Sequence, residues 1–275
     1  MAKNLIGISG KIGSGKDTVG NMINYLISGE KASYFAWLNA RKHYGIGEVD
    51  TYEIKKFAGK LKQIVSLLTG CTLQELESQE FKNKELIEEW NFVWDSSNQK
   101  AQSVSTANQD CVTEGWEWKP ENFVQKYTYR MLLQHIGTDA LRDRIHEDVW
   151  VNALFADYKN PAQYAIKNTG GYSNSETPFE YPNWIITDMR FPNELEAVEK
   201  MGGITIRINR DVLLDNDNQP IVPEKNYTDI NVMKRLHPSE TALDHAEFDY
   251  TIDNSGTIEY LLEQVRVILQ KEKII

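Results

Sequence analysis

Residues 10–18 read GKIGSGKDT, and this stretch decides the fold. It matches the pattern G-x-x-x-x-G-K at Gly10, Gly15 and Lys16. Glycines in such a loop allow successive backbone N–H groups to converge on an anion, and a following helix adds the positive end of its dipole. A lysine at the end of the loop reaches the β- and γ-phosphates of a nucleotide. We therefore predict a phosphate-binding loop. Its residues are Gly10, Lys11, Gly13, Ser14, Gly15, Lys16, Asp17 and Thr18.

The sequence on either side of this loop supplies the elements that such a site requires. Residues 4–9 form the short apolar run NLIGIS, which is typical of a buried parallel strand. After the loop, apolar residues recur at the spacing of one helix face, at Val19, Met22, Ile23, Leu26 and Ile27. The chain thus opens with strand, loop and helix. This order disfavours the alternative of a glycine-rich turn without a ligand.

The residue after the loop lysine departs from the usual pattern. Ser or Thr is usual at that position, whereas this chain has Asp17 followed by Thr18. Either the Thr18 hydroxyl contributes to the shell of a Mg²⁺ ion, or Asp17 helps to hold the ion through water. The sequence leaves both alternatives open. A small non-hydroxyl residue followed by Thr resembles the loop of adenylate kinases, which points to small-molecule kinases rather than GTPases.

Strands and helices alternate along the rest of the chain, which is typical of an α/β fold with a parallel sheet. Further strands are predicted at 50–58, 184–191, 204–209 and 250–254, which makes five with the first. Helices are predicted after the second strand and at 122–142, 146–159, 193–201 and 257–271. Two polar stretches, 78–122 and 167–183, interrupt the pattern. We interpret them as insertions in a single domain that spans residues 1–275.

Composition and charge disfavour a nucleic-acid-binding protein and a membrane-spanning protein. The chain of 275 residues carries 30 Lys and Arg against 40 Asp and Glu, a net charge of −10. A nucleic-acid-binding protein usually has a basic excess, so nucleic acid is disfavoured as the main partner. No apolar run approaches the roughly 20 residues that a membrane span needs. The two cysteines have no metal-binding spacing. We expect a cytoplasmic protein without a membrane partner.

A helical segment at 129–154 carries polar side chains that suit a nucleotide. Arg130 and Gln134 are separated by one helical turn and therefore lie on one face. An arginine, an amide and the indole of Trp150 suit a phosphate, a base edge and a stacking plane. The alternative is a solvated helix with a tryptophan in the core. The residue types by themselves favour that alternative.

A second polar segment, TDMRFPNE at 187–194, follows the third predicted strand directly. Side chains at the carboxyl end of a parallel strand lie in the crevice where α/β sheets bind ligands. Asp188 can hold Mg²⁺ through water or accept a hydrogen bond from a sugar hydroxyl. Arg190 can bind a phosphate through two parallel hydrogen bonds. A purely structural pair of Asp188 and Arg190 is the alternative.

Basic residues also bracket a long polar stretch before the last strand. They are Arg207, Arg210, Lys234 and Arg235, and the stretch ends in RLHPSE at 235–240. This placement suits a lid that closes basic groups over phosphates during transfer. A surface loop of mixed charge is the alternative.

Taken in order, these segments resemble the deoxynucleoside monophosphate kinases of tailed bacteriophages, which are P-loop kinases of the nucleoside-monophosphate type. The resemblance covers most of the chain and breaks at the two predicted insertions. The phosphate loop is shared by many proteins, whereas the QxxGTD helix and the DMRFPNE strand end are more specific. The matching stretches are GKIGSGKDT at 10–18, FAGKLK at 57–62, RMLLQHIGTD at 130–139, VWVNALFADY at 149–158, ITDMRFPNELEAVEKMGG at 186–203, HPSE at 237–240 and YTIDNSGTIEYL at 250–261.

The resemblance implies a three-layer P-loop kinase fold with a five-stranded parallel sheet, a helical region that binds the monophosphate, and a lid over 207–243. It implies ATP with Mg²⁺ at the loop, with Asp17 and Thr18 nearest the metal and residues 254–256 bordering the adenine. The implied residues for the deoxynucleotide are Lys62, Arg130, Gln134, Gly137, Thr138, Trp150, Asp188, Arg190 and Glu194.

The expected reaction is phosphoryl transfer from ATP–Mg²⁺ to the 5′-phosphate of a deoxynucleoside monophosphate, which would supply dNTPs for DNA synthesis. The residues expected to be catalytic are Lys16, Arg130 and Arg190, with a lid cation from Arg207, Arg210 or Arg235. The partner is then a small molecule, a homodimer is allowed, and a phage-encoded enzyme would work in the host cytoplasm. One alternative is a kinase of another small phosphorylated acceptor. Another is a P-loop regulatory or DNA-packaging ATPase.

Overall fold

The computed structural model describes residues 4–44, 52–95, 100–108, 124–158, 181–210 and 241–275. The strands are β1 (Leu5–Gly10), β2 (Glu53–Lys55), β3 (Phe92–Asp95), β4 (Lys100–Ser103), β5 (Trp184–Met189), β6 (Ile204–Asn209) and β7 (Tyr250–Asp253). The helices are α1 (Lys16–Ser28), α2 (Tyr34–Tyr44), α3 (Ala58–Thr69), α4 (Gln79–Lys82), α5 (Tyr129–Gln134), α6 (Val149–Phe155), α7 (Pro192–Lys200) and α8 (Ile258–Lys271). The chain divides into two compact units, Met1–Phe57 with Val151–Ile275, and Ala58–Trp150.

The first unit contains a five-stranded sheet in the order β2-β5-β1-β6-β7. Every pair of neighbouring strands in it is parallel. The strand that leads into the phosphate loop, β1, lies at the centre between β5 and β6. Because the strands are parallel, their carboxyl ends share one edge, and this is where α/β sheets place ligands. The predicted five-stranded parallel α/β sheet is confirmed.

Apolar side chains cover both faces of this sheet. Successive residues of a strand point to opposite faces, so Leu5 and Ile6 enter different clusters. Ile6 packs with apolar residues of α1 and α8, such as Ile23 and Val265. Leu5 packs with residues that include Val198 of α7. Helices therefore lie on both faces of the sheet, which gives the three layers expected.

The approach of α1 to the sheet depends on a glycine. A Cβ atom at Gly20 would lie 2.9 Å from the Cγ2 atom of Thr187 in β5, closer than real Cβ contacts. The glycine thus lets the helix that follows the phosphate loop pack directly on the neighbouring strand.

The second unit combines helices with a small antiparallel hairpin. Strands β3 and β4 pair in register from Phe92 with Ser103 to Asp95 with Lys100. The core of the unit includes Val65, Cys71, Leu76, Leu86 and Leu132, all buried.

The described part of the predicted insertion at 78–122 contributes to this second core. Leu86 is buried there, and Phe81 and Trp90 pack against the same cluster. Phe92 exchanges backbone hydrogen bonds with Gln125. The stretch 78–95 is therefore packed structure, and whether it is an insertion relative to the family stays a prediction.

The helix predicted at 122–142 begins later than expected. Backbone bridges pair Phe92 with Gln125 and Glu85 with Thr128, and the described residues 124–128 are not helical. The Thr128 hydroxyl accepts a hydrogen bond from the Met131 N–H and caps α5. A π-helix, His135–Arg142, then continues from α5. The second predicted insertion, at 167–183, and the predicted lid, at 207–243, lie mostly outside the described residues.

Candidate active site

The predicted phosphate loop connects β1 to α1 at the carboxyl edge of the sheet. Gly13 and Gly15 adopt left-handed backbone conformations with φ of 77° and 94°, which other residues rarely adopt. Helix α1 begins at Lys16. The Lys16 ammonium donates to the backbone oxygens of Gly10 at 2.7 Å and Lys11 at 2.8 Å. The lysine therefore folds back across its own loop.

Two side chains from later in the sequence hold this loop. The Asn254 amide, just beyond β7, donates from Nδ2 to the Ser14 carbonyl oxygen at 2.7 Å. A Cβ atom at Gly15 would lie 2.5 Å from that same Nδ2 atom and would displace it, and the φ of 94° independently favours glycine. Arg210 Nη1 donates to the Gly13 carbonyl oxygen at 3.1 Å. Sequence reasoning connected residue 254 with the adenine by resemblance, and it missed this contact with the loop.

Asp17 is held by two partners at the start of α1. The Thr187 hydroxyl donates to Oδ1 at 2.6 Å, and Lys56 Nζ lies 3.3 Å from Oδ2. Burial acts to raise the pKa of Asp17, but the Thr187 hydrogen bond and the charges of Lys56 and Lys16 outweigh it. The pKa therefore lies below its ordinary value, and the carboxylate stays ionised. Neither partner was foreseen from the sequence.

The charged residues at the end of β5 and just beyond it occupy defined positions. Asp188 Oδ1 accepts a hydrogen bond from the Phe57 N–H at 2.7 Å, and so fixes the chain just after β2. Glu194 is 3% exposed, and its Oε2 accepts from the backbone N–H groups of Arg190 and Phe191 at 2.7 and 3.1 Å. The backbone at Arg190 is therefore clamped between β5 and α7. Glu194, predicted to bind substrate, supplies this clamp.

The predicted lid cations differ in their surroundings. Arg207 is largely buried within β6, donates to Ser9 Oγ at 3.0 Å, and pairs with Asp244 at 2.8 Å. Arg210 contacts the phosphate loop itself. Arg235 lies outside the described residues.

The other residues predicted to bind substrate belong to the second unit. Lys62 pairs with Glu77 at 2.6 Å. Arg130 donates from Nε to Asn83 Oδ1 at 2.8 Å and from Nη2 to Gln79 Oε1 at 2.9 Å. Gln134 ends α5, and Thr138 follows in the π-helix.

Trp150 is a buried residue with a paired ring nitrogen. Its indole is 5% exposed, and Nε1 donates to the Gly137 carbonyl oxygen at 2.8 Å. A Cβ atom at Gly137 would lie 2.8 Å from Leu61 Cδ2, so a side chain there would displace the end of the Leu61 side chain. In this arrangement the tryptophan links the predicted QxxGTD motif to α6.

Among the described residues, no group of three His, Cys, Asp or Glu side chains forms a ready-made metal site. No described helix is long and apolar enough to cross a membrane.

A parallel sheet with helices on both faces, whose central strand runs into the predicted phosphate loop, agrees with a P-loop kinase fold. The chain belongs to the deoxynucleotide monophosphate kinase family, whose sequence profile matches residues 4–265.

Three viral relatives agree with this membership. The deoxynucleoside-5′-monophosphate kinase of Escherichia phage T5 is 26% identical over 265 residues, 87% of this chain and 84% of the relative. The deoxynucleotide monophosphate kinase of Enterobacteria phage T4 is 24% identical over 149 residues, 54% of this chain and 48% of the relative. A putative deoxynucleotide monophosphate kinase of Acanthamoeba polyphaga mimivirus is 25% identical over 146 residues, 50% of this chain and 59% of the relative.

Proposed function

We propose that the protein transfers the γ-phosphoryl group of ATP to the 5′-phosphate of a deoxynucleoside monophosphate, giving ADP and the diphosphate. Membership of the family supports the acceptor class. The single observation that best supports ATP as the phosphate donor is the position of the Lys16 ammonium, which lies across the backbone of the phosphate loop. A bound β/γ-phosphate would take over those contacts and receive the lysine charge.

The residues near the loop fit a magnesium ion bound together with ATP. Mg²⁺ in kinases takes oxygen ligands from one or two carboxylates and from substrate phosphates, and it keeps several waters. Asp17 is ionised, as its lowered pKa indicates, and the Thr18 hydroxyl makes no hydrogen bond to a described residue. We propose that Thr18 binds the metal directly and that Asp17, already paired with Thr187 and Lys56, acts through water. Bound Mg²⁺ would neutralise charge on the transferring phosphates.

The acceptor phosphate needs orientation rather than activation. A phosphate monoester is already a nucleophile at neutral pH, so a general base is unnecessary. We propose that Arg190 and Arg130 orient the acceptor phosphate. The remaining residues proposed for the deoxynucleotide are Lys62, Gln134, Gly137, Thr138, Trp150 and Asp188, with Glu194 fixing the backbone of Arg190.

Among the lid arginines, the contact of Arg210 with the phosphate loop favours it as the cation that covers the transferring group. Arg207 is committed to Ser9 and Asp244, which favours a structural role. We further propose that the enzyme supplies deoxynucleotides in the cytoplasm of the host cell, without a nucleic-acid or membrane partner. Self-association into a homodimer is compatible with this role.

An assay of ADP release with each monophosphate in turn tests the function. Turnover that requires a deoxynucleoside monophosphate supports the proposal. Turnover with another phosphorylated acceptor identifies the first alternative, a kinase of a different small molecule. Turnover that needs no acceptor identifies an ATPase and contradicts the proposal.

A further inference from the structure

The guanidinium of Arg130 is anchored along one edge. Its Nε–H donates to the side-chain oxygen of Asn83, and Nη2 donates to the side-chain oxygen of Gln79. Nε and Nη2 share one edge of the planar group, so two parallel hydrogen bonds fix its plane as well as its position. The Nη1 group and the outer hydrogen of Nη2 remain directed away from these amides.

The chemistry of the two acceptors matters as much as their position. An arginine held in place inside a protein is often paired with a carboxylate, which cancels its charge. Asn83 and Gln79 are neutral, so they orient the guanidinium and leave its full positive charge available. Such an arrangement suits a cation that must bind a phosphate dianion rather than stabilise a salt bridge.

The two amides are themselves held by a short helix that has little stability alone. Gln79 begins α4 and Asn83 caps its end, so they lie one turn apart on one face. The Ser78 hydroxyl accepts from the Phe81 N–H and caps the other end at 3.2 Å. A helix of this length cannot persist without tertiary contacts.

The contact that fixes α4 lies beside Arg130. The rings of Phe81 and Tyr129 pack with their centroids 4.5 Å apart. Tyr129 immediately precedes Arg130 in α5, so the short helix is attached to the turn that carries the arginine.

We propose that Gln79 and Asn83 are positioning residues that preset the Arg130 guanidinium for the phosphate of the acceptor. The inference rests on the proposed function, because it takes Arg130 as an acceptor-binding residue. It assigns a role to the start of the stretch 78–122, which the sequence marked only as an interruption of the pattern.

The test compares Asn83→Leu, Asn83→Asp and Gln79→Leu with Glu80→Gln, an exposed change on the same short helix. Loss of one hydrogen bond to a charged group predicts an increase of about 10–100-fold in the KM for the deoxynucleotide. The KM for ATP and the values for Glu80→Gln should stay unchanged. Asn83→Asp should keep or raise thermal stability yet still weaken acceptor binding, because its carboxylate neutralises Arg130. If the contact were purely structural, Asn83→Asp would instead keep both thermal stability and acceptor binding at the level of the unchanged protein.

A double-mutant cycle with Arg130→Met separates this inference from the proposed function. The expected result is that Asn83→Leu no longer affects the acceptor KM once Arg130 is gone. If the effects of Asn83→Leu and Arg130→Met on the acceptor KM are additive, or if the KM values for ATP and acceptor change equally, the positioning role is contradicted. The proposed function would not be affected by that outcome. An Arg130→Met enzyme with an unchanged acceptor KM would remove the acceptor role of Arg130, and the inference with it. If Asn83→Leu does not fold, the same cycle is completed with Gln79→Leu.

Discussion

The proposed function depends on a few charged side chains whose backbone is fixed by the edge of the sheet. Lys16, Asp17 and Arg190 all stand within one residue of a strand or helix end. Their positions are therefore set by the sheet and its helices. This is why changes in their side chains should report chemistry rather than folding.

Lys16→Ala should abolish nearly all phosphoryl transfer while the protein remains folded. The loss is expected mainly in kcat, because the charge of Lys16 matters most when phosphate charge redistributes in the transition state. Steady-state kinetics with circular dichroism measures both properties. Lys31→Ala, an exposed change after α1, is the control. Near-normal turnover in Lys16→Ala would contradict the donor-site assignment.

Arg190→Lys should weaken acceptor binding far more than ATP binding. A guanidinium makes two parallel bonds to a phosphate and an ammonium cannot, so the retained charge isolates the effect of geometry. We expect a loss of about 10–100-fold in affinity for the deoxynucleotide, on the order of 1.4–2.8 kcal/mol. Calorimetric titration of each nucleotide separately is the measurement.

Arg266→Lys provides the matched control for this change, since Arg266 forms an exposed pair with Glu263 on α8. Equal weakening of both nucleotides in Arg190→Lys would move Arg190 out of the acceptor site.

The lowered pKa of Asp17 predicts a defined pH dependence of stability. A carboxyl group whose native pKa lies below its ordinary value of 3.8 stabilises the fold above that value. This stabilisation is lost as the pH falls through the native pKa. Protonated Asp17 has no charge to interact with Lys56 and Lys16, and it accepts a weaker hydrogen bond from Thr187. Asp17→Asn lacks the effect at every pH. The difference in thermal midpoint between wild type and variant should therefore shrink as the pH is lowered below 3.8, and a constant difference would contradict the pairing.

At the element scale, the sequence predicted most of the sheet. The strand predicted at 204–209 matches β6. The strand predicted at 184–191 begins at the same residue as β5 and extends two residues beyond its end. Both succeed because strands buried on two faces are continuous apolar runs. The start of α5 was missed because Thr128 is held by pairing with Glu85, a contact between distant residues that no local pattern reveals.

The packing of α1 on β5 gives a prediction about stability. Gly20→Ala would place a methyl group 2.9 Å from Thr187 Cγ2, and Thr187 is held by its hydrogen bond to Asp17. We expect a destabilisation of about 1–3 kcal/mol, typical of overpacking. Gly59→Ala on α3 is the matched control, because a Cβ atom there meets nothing within 4 Å. Denaturant unfolding should show Gly20→Ala destabilised and Gly59→Ala neutral or stabilised; equal behaviour would contradict the close packing.

At the scale of the whole molecule, the family and the kinase activity predicted from the sequence are confirmed by the match over residues 4–265. The phosphate loop and the DMRFPNE segment could be located from the sequence because each is a contiguous motif, and the binding roles of their residues stay a prediction. The contacts that position these residues could not be located in this way. Each of these contacts joins segments that are far apart in the chain: Lys56 with Asp17, Asn254 with Ser14, and Asn83 with Arg130. Only the folded structure brings such residues together.

The proposed enzyme passes a phosphoryl group from ATP to a deoxynucleoside monophosphate. The test uses ATP that carries a label on its γ-phosphate, together with Mg²⁺ and each deoxynucleoside monophosphate in turn. The product that carries the label is then identified. The account predicts that the label appears in the deoxynucleoside diphosphate, in amounts equal to the ADP formed, and that Lys16→Ala abolishes this transfer. Label recovered only as inorganic phosphate, at a rate independent of the acceptor, would contradict it.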